Sequence, residues 1–449
     1  MALEPTKLLT KNYGVAESWT MAVYEKGGGY QTARKALATE ASKIVDDMKL
    51  ANIRGRGGAG FPMGVKWSFM KPHPTKPAYL VVNADEGEPG THKDRTIMEQ
   101  DPHLLVEGCM IASYAIGAHV AYIYIRDELH LAKKRVHDAI VEARAKGYLG
   151  KTPFGTKDFA LDVHVHTGAG AYICGEETSL LNSLEGRRGE PRLKPPFPAQ
   201  VGAFGCPSTV NNVESIAAAV PAYAMGGAEW SKLSRLHKLN DGGVRLYGIN
   251  GHVEKPQIVE LPVGPTIHEL IELAGGVSKG RKVKAVIPGG SSCPVLLPTD
   301  VFHAPDEKSP LHEWHGKLVF DVPMGVDTMR AAGTMLGTCC LTVIAEGTCM
   351  VRAAWNLARF YKHESCGQCT PCREGTGWID RIFEKIEHGH GELRELDQVS
   401  DIASNIIGNT ICAFGDGAAM PMLGFVRKFR HEFVEHVEHK KCPFDGNLL

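Results

Sequence analysis

Three cysteines fall within one short segment, Cys366-Gly-Gln-Cys369-Thr-Pro-Cys372. An iron–sulfur cluster takes four thiolates, and this C-x2-C-x2-C spacing lets one loop wrap three corners of a [4Fe–4S] cubane while the fourth ligand comes from afar. Cys412, which follows Gly408-Asn409-Thr410-Ile411 and precedes the turn Gly415-Asp416-Gly417, is the best candidate for that ligand. Structural zinc is the competing chemistry, although zinc prefers two separated C-x2-C or histidine pairs around a tetrahedron. The chain's twelve cysteines are too sparse for a disulfide scaffold. The remaining eight read as packing residues: Cys109 lies on an apolar helix, and Cys339, Cys340 and Cys349 sit in apolar surroundings. Cys174 stands apart because it adjoins a glycine-rich stretch. Near the C-terminus, His431-Glu432-Phe433-Val434-Glu435-His436 imitates a zinc-protease motif, but its histidines are five apart and do not share a helix face. A solvated terminal helix is expected there.

Four loops have the composition of ligand sites. Gly55-Arg56-Gly57-Gly58-Ala59-Gly60 matches G-x-G-x-x-G, a weak signal alone, because the dinucleotide fingerprint must follow a strand and open a helix. Here a helix-like segment precedes the loop and Pro62 closely follows it, which disfavours the standard dinucleotide fold. The glycines still allow backbone N–H groups to approach a ring or a phosphate, with Arg56 and Lys66 as sources of positive charge. A plain tight turn is the alternative. The second loop, Gly168 to Glu177, follows a strand and enters a helix, the place where α/β sheets bind ligands. Glu176 and Glu177 suit the helix start but repel a phosphate, so they point to hydroxyls or an amide. Asn83 to Gly90 forms a third, acidic patch. In the fourth, Val210-Asn211-Asn212-Val213-Glu214, paired amides can donate and accept together, as a flavin edge requires.

The elements that must hold these loops follow from periodicity. Ala36 to Ile53 reads as helical, Tyr79 to Asn83 as a buried strand, and Pro102 to Gly117 as a helix with proline in its first turn. Val120 to Ile125 and Phe159 to Val165 read as strands, Glu128 to Lys146 and Gly175 to Leu184 as helices. This alternation predicts an α/β layer with parallel pairing. After a Pro- and Gly-rich linker (191–207), Val244 to Ile249, the turn Asn250-Gly251 and Gln257 to Leu261 predict a hairpin. Thr266 to Ala274 is a short helix and Lys284 to Ile287 a strand, giving a β-grasp-like ββαβ module. Beyond Thr334 the pattern turns helical, with segments near 346–361, 372–388, 394–406 and 418–438 forming a four-helix unit.

The bulk properties exclude other classes. The 449 residues exceed one compact core, and 43% hydrophobic and 22% charged residues are ordinary for a globular protein. A net charge of −1 argues against a nucleic-acid binder. The opening Met-Ala-Leu-Glu-Pro-Thr-Lys has no apolar core of a secretory signal. The longest weakly polar stretch, Ile216 to Gly226, is broken by Pro221 and falls short of the roughly 20 residues of a membrane span.

In consistent order from about residue 40 to 438, these motifs resemble the NADH-oxidising flavoprotein subunit of respiratory complex I, the NADH:quinone oxidoreductase F-chain family. The carrying stretches are GRGGAGFPMGVKW (55–67), NADEGEPGTHKDR (83–95), GAGAYICGEETSLLNSLEG (168–186), NNVES (211–215), ESCGQCTPCREG (364–375) and GNTICAFGDGAA (408–419). Met63 and Ser215 stand where the family usually has Thr, and Asp127-Glu128-Leu129 also departs from its pattern.

The resemblance implies a Rossmann-like FMN/NADH domain with an N-terminal helical segment (1–240), a β-grasp, ubiquitin-like domain (241–333) and a four-helix bundle with the iron–sulfur cluster (334–449). It implies that Gly55, Arg56, Gly57 and Lys66 hold the FMN phosphate and ribityl chain, and that Asn83, Asp85, Gly175, Glu176, Val210, Asn211 and Asn212 border the flavin. Gly58, Phe61, Phe69, Glu88, Tyr172, Glu177, Lys194 and Phe197 would bind NADH, and Cys366, Cys369, Cys372 and Cys412 the [4Fe–4S] cluster. No side chain need act as acid or base, since hydride passes directly to FMN. The expected partners are a thioredoxin-like [2Fe–2S] subunit and a larger iron–sulfur subunit. The expected location is the cytoplasmic side of the cell membrane, peripheral through the complex. A diaphorase subunit of a soluble NAD-linked hydrogenase or formate dehydrogenase is the alternative. The few residues outside the matched span favour the complex I reading over those often-extended relatives.

Overall fold

The computed structural model describes residues 5–444, so Met1 to Glu4 of the opening segment read for a secretory signal lie outside the described residues. The chain divides into two compact units. The first comprises the described residues up to Gly87, His92–Tyr247 and Ile258–Pro265; the second comprises Glu88–Thr91, Gly248–Gln257 and the described residues beyond Pro265.

The first unit begins with short helices α1 (Met21–Lys26), α2 (Gln31–Leu37), α3 (Ala41–Leu50) and α4 (Met63–Ser68). The continuous helix expected over 36–53 is therefore broken, between Ala38 and Glu40. Strand β1 (Ala78–Ala84) leads through α5 (Lys93–Gln100) and α6 (Pro102–Ile116) to β2 (Ala118–Arg126). Next come α7 (His130–Ala145), β3 (Asp162–Gly168), α8 (Glu177–Leu184), β4 (Ser208–Asn212), α9 (Val213–Met225) and α10 (Gly227–Lys232). The four strands form one sheet in the order β3-β2-β1-β4 with every neighbouring pair parallel. Val81 faces Tyr122 on one side and Val210 on the other.

Helix α6 has no polar face toward solvent because it is enclosed on all sides; of its residues only Tyr114 escapes full burial, and the polar His103, Glu107 and Ser113 are buried with the rest. Asp101 caps its start, and Gly117 ends it in the left-handed conformation at φ 70°. At Gly108 it touches α9 so closely that a Cβ would lie 2.3 Å from the Ile216 carbonyl oxygen. Glu260 anchors the N-terminal segment, its carboxylate accepting the backbone N–H groups of Leu8, Leu9 and Thr10 at 2.9–3.0 Å.

A second four-stranded sheet begins with β5 (Val244–Gly251) and β6 (Gln257–Pro262), of which Val244–Tyr247 and Ile258–Pro262 fall in the first unit. Helix α11 (Ile267–Leu273), closed by a Thr266–Glu269 capping box, precedes β7 (Val283–Ile287), α12 (Val326–Ala331) and β8 (Cys340–Ala345). The order is β6-β5-β8-β7, with β8 parallel to β5 and antiparallel to β7. Two expectations need correction. Asn250 and Gly251 belong to β5 and not to a tight turn, and β8 lies where only helix was expected.

The C-terminal helices are α13 (Met350–Glu364), α14 (Thr370–Glu387), α15 (Leu393–Ile406), α16 (Phe414–Lys428) and α17 (Arg430–His439). The single helix expected over 418–438 is thus two, separated at Phe429. Helix α13 packs on α14 and α16, and α15 also packs on α14 and α16. The terminal helix is not solvated all round: Glu432, Phe433 and His436 are buried.

Candidate functional site

Sequence order reverses between β1 and β4, since β1 leads outward to β2 and β3 on one side while β4 pairs on the other. Such a switch point leaves a crevice at the carboxyl ends of parallel strands, where α/β sheets bind ligands. Asn83 stands opposite Asn212 there, and Val82 opposite Asn211. Asn83 donates to the Gly175 carbonyl at 2.8 Å and accepts the Asp85 N–H at 3.0 Å, so β1 is tied to the Gly168–Glu177 loop. Asn211 accepts from the Trp67 indole at 3.3 Å and donates to Thr209 at 3.1 Å. Asn212 caps α9 and donates to Asp94 at 2.6 Å. Asn83 and Asn211 each retain a further N–H and lone pair for a ligand, and Asn212, whose oxygen takes the Glu214 N–H and Lys93, retains a further N–H. Val210 is buried in β4, and Asp85 is buried with its Oδ1 3.7 Å from an Arg126 guanidinium nitrogen.

The Gly55–Gly60 loop does not follow a strand. It is a local reversal, with Arg54 bridged to Pro62 and the Gly55 N–H donating to the Phe61 carbonyl at 2.9 Å. Gly57 faces solvent, and a Cβ there would lie 3.4 Å from Cβ of Asn212. Glycine at that position leaves the backbone over the strand ends open, a cradle that a side chain would fill. The Arg56 guanidinium points into the protein, donating to the Val244 carbonyl at 2.8 Å and lying 4.0 Å from Glu214. Its backbone N–H is held by Ser215 at 2.9 Å. Arg56 therefore fixes the loop from beneath, and of Arg56 and Lys66 it is Lys66 whose side chain reaches the Gly168–Glu177 loop.

Lys66 pairs with Glu177 at 2.8 Å, and Lys194 with Glu176 at 3.0 Å and Glu177 at 3.1 Å. Glu176 also caps α8, accepting the N–H groups of Thr178 and Ser179 at 2.8 and 2.9 Å. Burial opposes the charged form of Glu177, but Lys66 and then Lys194 outweigh it and hold the carboxyl below its ordinary range. Burial likewise opposes charge on Lys194, and Glu176 and Glu177 raise it. The two positive and two negative side chains form a neutral, pre-positioned set beside the strand ends.

Phe61, Phe69 and Phe197 expose 48%, 52% and 54% of their surfaces, unusual for phenylalanine. Phe61 and Phe69 have ring centroids 6.1 Å apart, so they present a paired aromatic surface able to stack on a planar ring. Gly58 and Tyr172 are half-buried, the latter in the turn Tyr172–Gly175. Glu88 belongs to the second unit, where its carboxylate accepts the Ser292 N–H and hydroxyl, each at 2.7 Å.

Sequence reasoning assigned no role to Lys93, Asp94 or Glu214, which form a buried ionic network behind the asparagines. Lys93 lies 2.7 Å from Asp94, 3.0 Å from Glu214 and 3.2 Å from the Asn212 amide oxygen. Burial alone would strip its charge; Asp94 and then Glu214 reverse that and raise its pKa. The adjacent charges Lys93-Asp94, set between the third loop and an apolar helix, were the available signal.

In the second unit, Cys366 and Cys369 lie in the α13–α14 connection, Cys369 caps α14, and Cys372 sits in its first turn, buried. Ser365 Oγ lies 3.3 Å from Cys372 Sγ, and Arg373 closes the loop through the Gly367 carbonyl at 2.9 Å. The Ile411 N–H donates to Cys369 Sγ at 3.3 Å, which brings the α15–α16 connection, and Cys412 with it, to the cysteine loop. Thiols from two loops, with a backbone amide aimed at one sulfur, fit the donor set of an iron–sulfur cluster.

Three family descriptions match along the chain: Nuo51 FMN-binding domain over residues 48–221, SLBB domain over 245–307, and NADH-ubiquinone oxidoreductase-F iron-sulfur binding region over 352–436. They define its class, an FMN-binding oxidoreductase subunit with an iron–sulfur region. Over 447 residues it is 47% identical to the F subunit of the NADH-quinone oxidoreductase of Mycobacterium tuberculosis H37Rv, covering 98% of this chain and 95% of that protein. It is 48% identical to the F 2 subunit of the Rhizobium meliloti NADH-quinone oxidoreductase over 439 residues, covering 97% and 99%. Among solved structures, a chain of an NAD+-reducing [NiFe]-hydrogenase superposes with a TM-score of 0.78 at 30% identity, over 98% of this chain and 67% of that one. The chain belongs to the family of NADH-quinone oxidoreductase F subunits.

Proposed function

We propose that this chain is the NADH-oxidising subunit of a quinone-reducing complex, holding FMN at the β1–β4 switch point and a [4Fe–4S] cluster on Cys366, Cys369, Cys372 and Cys412. The observation that carries the reading is the switch point itself, where Asn83, Asn211 and Asn212 meet the open glycine backbone at Gly57. FMN, when bound, supplies the conversion between a two-electron hydride and the single electrons an iron–sulfur cluster accepts. The chain's residues bind and orient. Gly55, Gly57 and Lys66 take the phosphate and ribityl chain, with Arg56 bracing their loop. Asn83, Asp85, Gly175, Glu176, Val210, Asn211 and Asn212 border the ring. Phe61, Phe69 and Phe197 stack on NADH, and Gly58, Glu88, Tyr172, Glu177 and Lys194 complete its site. None of these residues is required as a proton donor or acceptor.

Residues 1–240 are assigned to FMN and NADH, 241–333 to a β-grasp module and 334–449 to the cluster. The succession β5, β6, α11, β7 supports the β-grasp assignment over 241–333, and β8, from the following segment, adds a strand between β5 and β7. The mutual packing of α13 to α16 supports a four-helix unit. The partners are a thioredoxin-like [2Fe–2S] subunit and a larger iron–sulfur subunit, and the complex sits on the cytoplasmic face of the cell membrane. The hydrogenase superposition favours a second reading, the diaphorase subunit of a soluble NAD-linked enzyme, but the relatives of nearly half identity are quinone oxidoreductase subunits.

Cofactor analysis of the purified protein tests the proposal. About one FMN and about four irons with four sulfides are expected on the cubane reading, together with NADH:ferricyanide activity. Zinc in place of iron, or no bound flavin, overturns it. Co-purification with a hydrogenase subunit in place of quinone-reductase subunits would select the second reading.

A further inference from the structure

A second ligand set lies in the C-terminal helices. Cys349 caps the start of α13, Glu387 ends α14, His436 lies in α17, and Cys442 follows α17. One ligand atom from each of the four falls within 4.8 Å of every other. Cys349 Sγ is 3.4 Å from His436 Nε2 and 3.8 Å from Glu387 Oε2, and the latter two atoms are 3.7 Å apart. A tetrahedral zinc ion with ordinary bond lengths to sulfur, nitrogen and oxygen has ligand–ligand edges of about 3.3–3.8 Å.

The surroundings are those of a built site. His436 Nδ1 donates to the Glu432 carbonyl at 2.6 Å, which fixes the tautomer and turns the Nε2 lone pair toward Cys349. Arg352 holds the other oxygen of Glu387 at 3.1 Å, and the Arg352 N–H donates to Cys349 Sγ at 3.3 Å. Cys349, Glu387 and His436 are buried, with Cys442 half-buried over them. Two thiolates and a carboxylate carry three negative charges, which a divalent cation and Arg352 balance. Two sulfurs, an imidazole and a carboxylate in a tetrahedron are a zinc donor set.

This site is separate from the cluster loop. The 15 residues of α13 put about 22 Å between Cys349 at its start and Cys366 beyond its end. Likewise Cys369 starts α14 and Glu387 ends it. The α13–α14 pair thus carries cysteines for iron at one end and this ligand set at the other.

We propose that Cys349, Glu387, His436 and Cys442 form a structural zinc site that pins the segment after α17 to the ends of α13 and α14. The test is element analysis and zinc-edge X-ray absorption on the full-length protein purified with its cofactors. The expected result is about one zinc per chain beside the iron, with about two sulfurs at 2.3 Å and two nitrogen or oxygen atoms at 2.0–2.1 Å. Cys442→Ser, which alters only the tail, and His436→Gln should each lower zinc content at least about fivefold while iron is unchanged, a loss of about 1 kcal/mol or more in binding. Four results would overturn the proposal: zinc absent while iron is intact, zinc content unmoved by Cys442→Ser, an all-sulfur shell marking zinc in the cluster loop, or a Cys349–Cys442 disulfide in non-reducing peptide maps.

Discussion

Glu177 stands between two lysines, and its role separates binding from folding. Its carboxylate takes Lys66 on one oxygen and Lys194 on the other, and those cations keep it ionised despite burial. Glu177→Gln removes the carboxylate that pairs with Lys66 and leaves Lys194 paired with Glu176. Charged hydrogen bonds of this kind are worth about 1.5–3 kcal/mol, so the KM for NADH should shift by about tenfold while FMN content stays unchanged. Loss of FMN from the purified variant would instead make the carboxylate a structural brace. The residue types at this site were legible because glycines, asparagines and paired glutamates in short runs have few structural uses in common. Direction was not legible. Arg56 reads as a phosphate ligand by its charge, while its side chain turns inward to the Val244 carbonyl, an orientation that charge alone does not convey. His436 reads as part of a superficial zinc-protease match because it lies five residues from His431. Helical spacing from His431 says nothing about Cys349 and Glu387, which approach from other elements.

Helix α6 shows what element-scale patterning conveys and what it omits. Its boundaries follow from Pro102 and Gly117, and its burial from the absence of a polar face. Strand β8 was missed although Cys340-Leu-Thr-Val-Ile-Ala is β-branched and apolar, because a strand between helical segments has no local partner and pairs only with the distant β5 and β7. The break at Phe429 was likewise invisible, since helical periodicity continues through it. The buried polar groups of α6 carry a consequence for pH. His103 is enclosed, 2.8 Å from the Tyr30 hydroxyl and 3.1 Å from Glu142, and burial outweighs Glu142 to push its pKa down to about 4. A histidine depressed in the folded state contributes stability that is complete above its unfolded pKa and lost as pH falls toward the folded value. Between about pH 7 and about pH 5 the loss is on the order of 2 kcal/mol. Asp101, pushed up to about 7 by burial, works in the opposite direction over the same range. The readout is therefore a difference between proteins. His103→Gln should show a smaller fall in its urea midpoint on acidification than the parent protein, and equal slopes would mean that His103 protonates freely in the native state.

At the scale of the molecule, the question is what keeps a chain of net charge −1 at a membrane. Among the described residues no helix is long and apolar enough to cross a bilayer. The two most apolar helices, α6 and α9, are spent on each other and on the parallel sheet, with nearly every side chain buried. Neither has an apolar face left for lipid, and a charge near zero gives little attraction to anionic headgroups, which is worth about 1 kcal/mol per basic residue where such residues cluster. The exposed phenylalanines at 61, 69 and 197 belong to the proposed nucleotide site and are too few to anchor a protein of this size. On the proposed function, membrane association comes through partner subunits. Expressed without them, the chain is expected in the supernatant after high-speed centrifugation; expressed with the whole complex, it is expected with the membranes and released by alkaline carbonate, which strips peripheral proteins. If the chain alone sedimented with membranes and resisted carbonate, an anchor of its own would be required, and the buried faces of α6 and α9 would have to open to provide it.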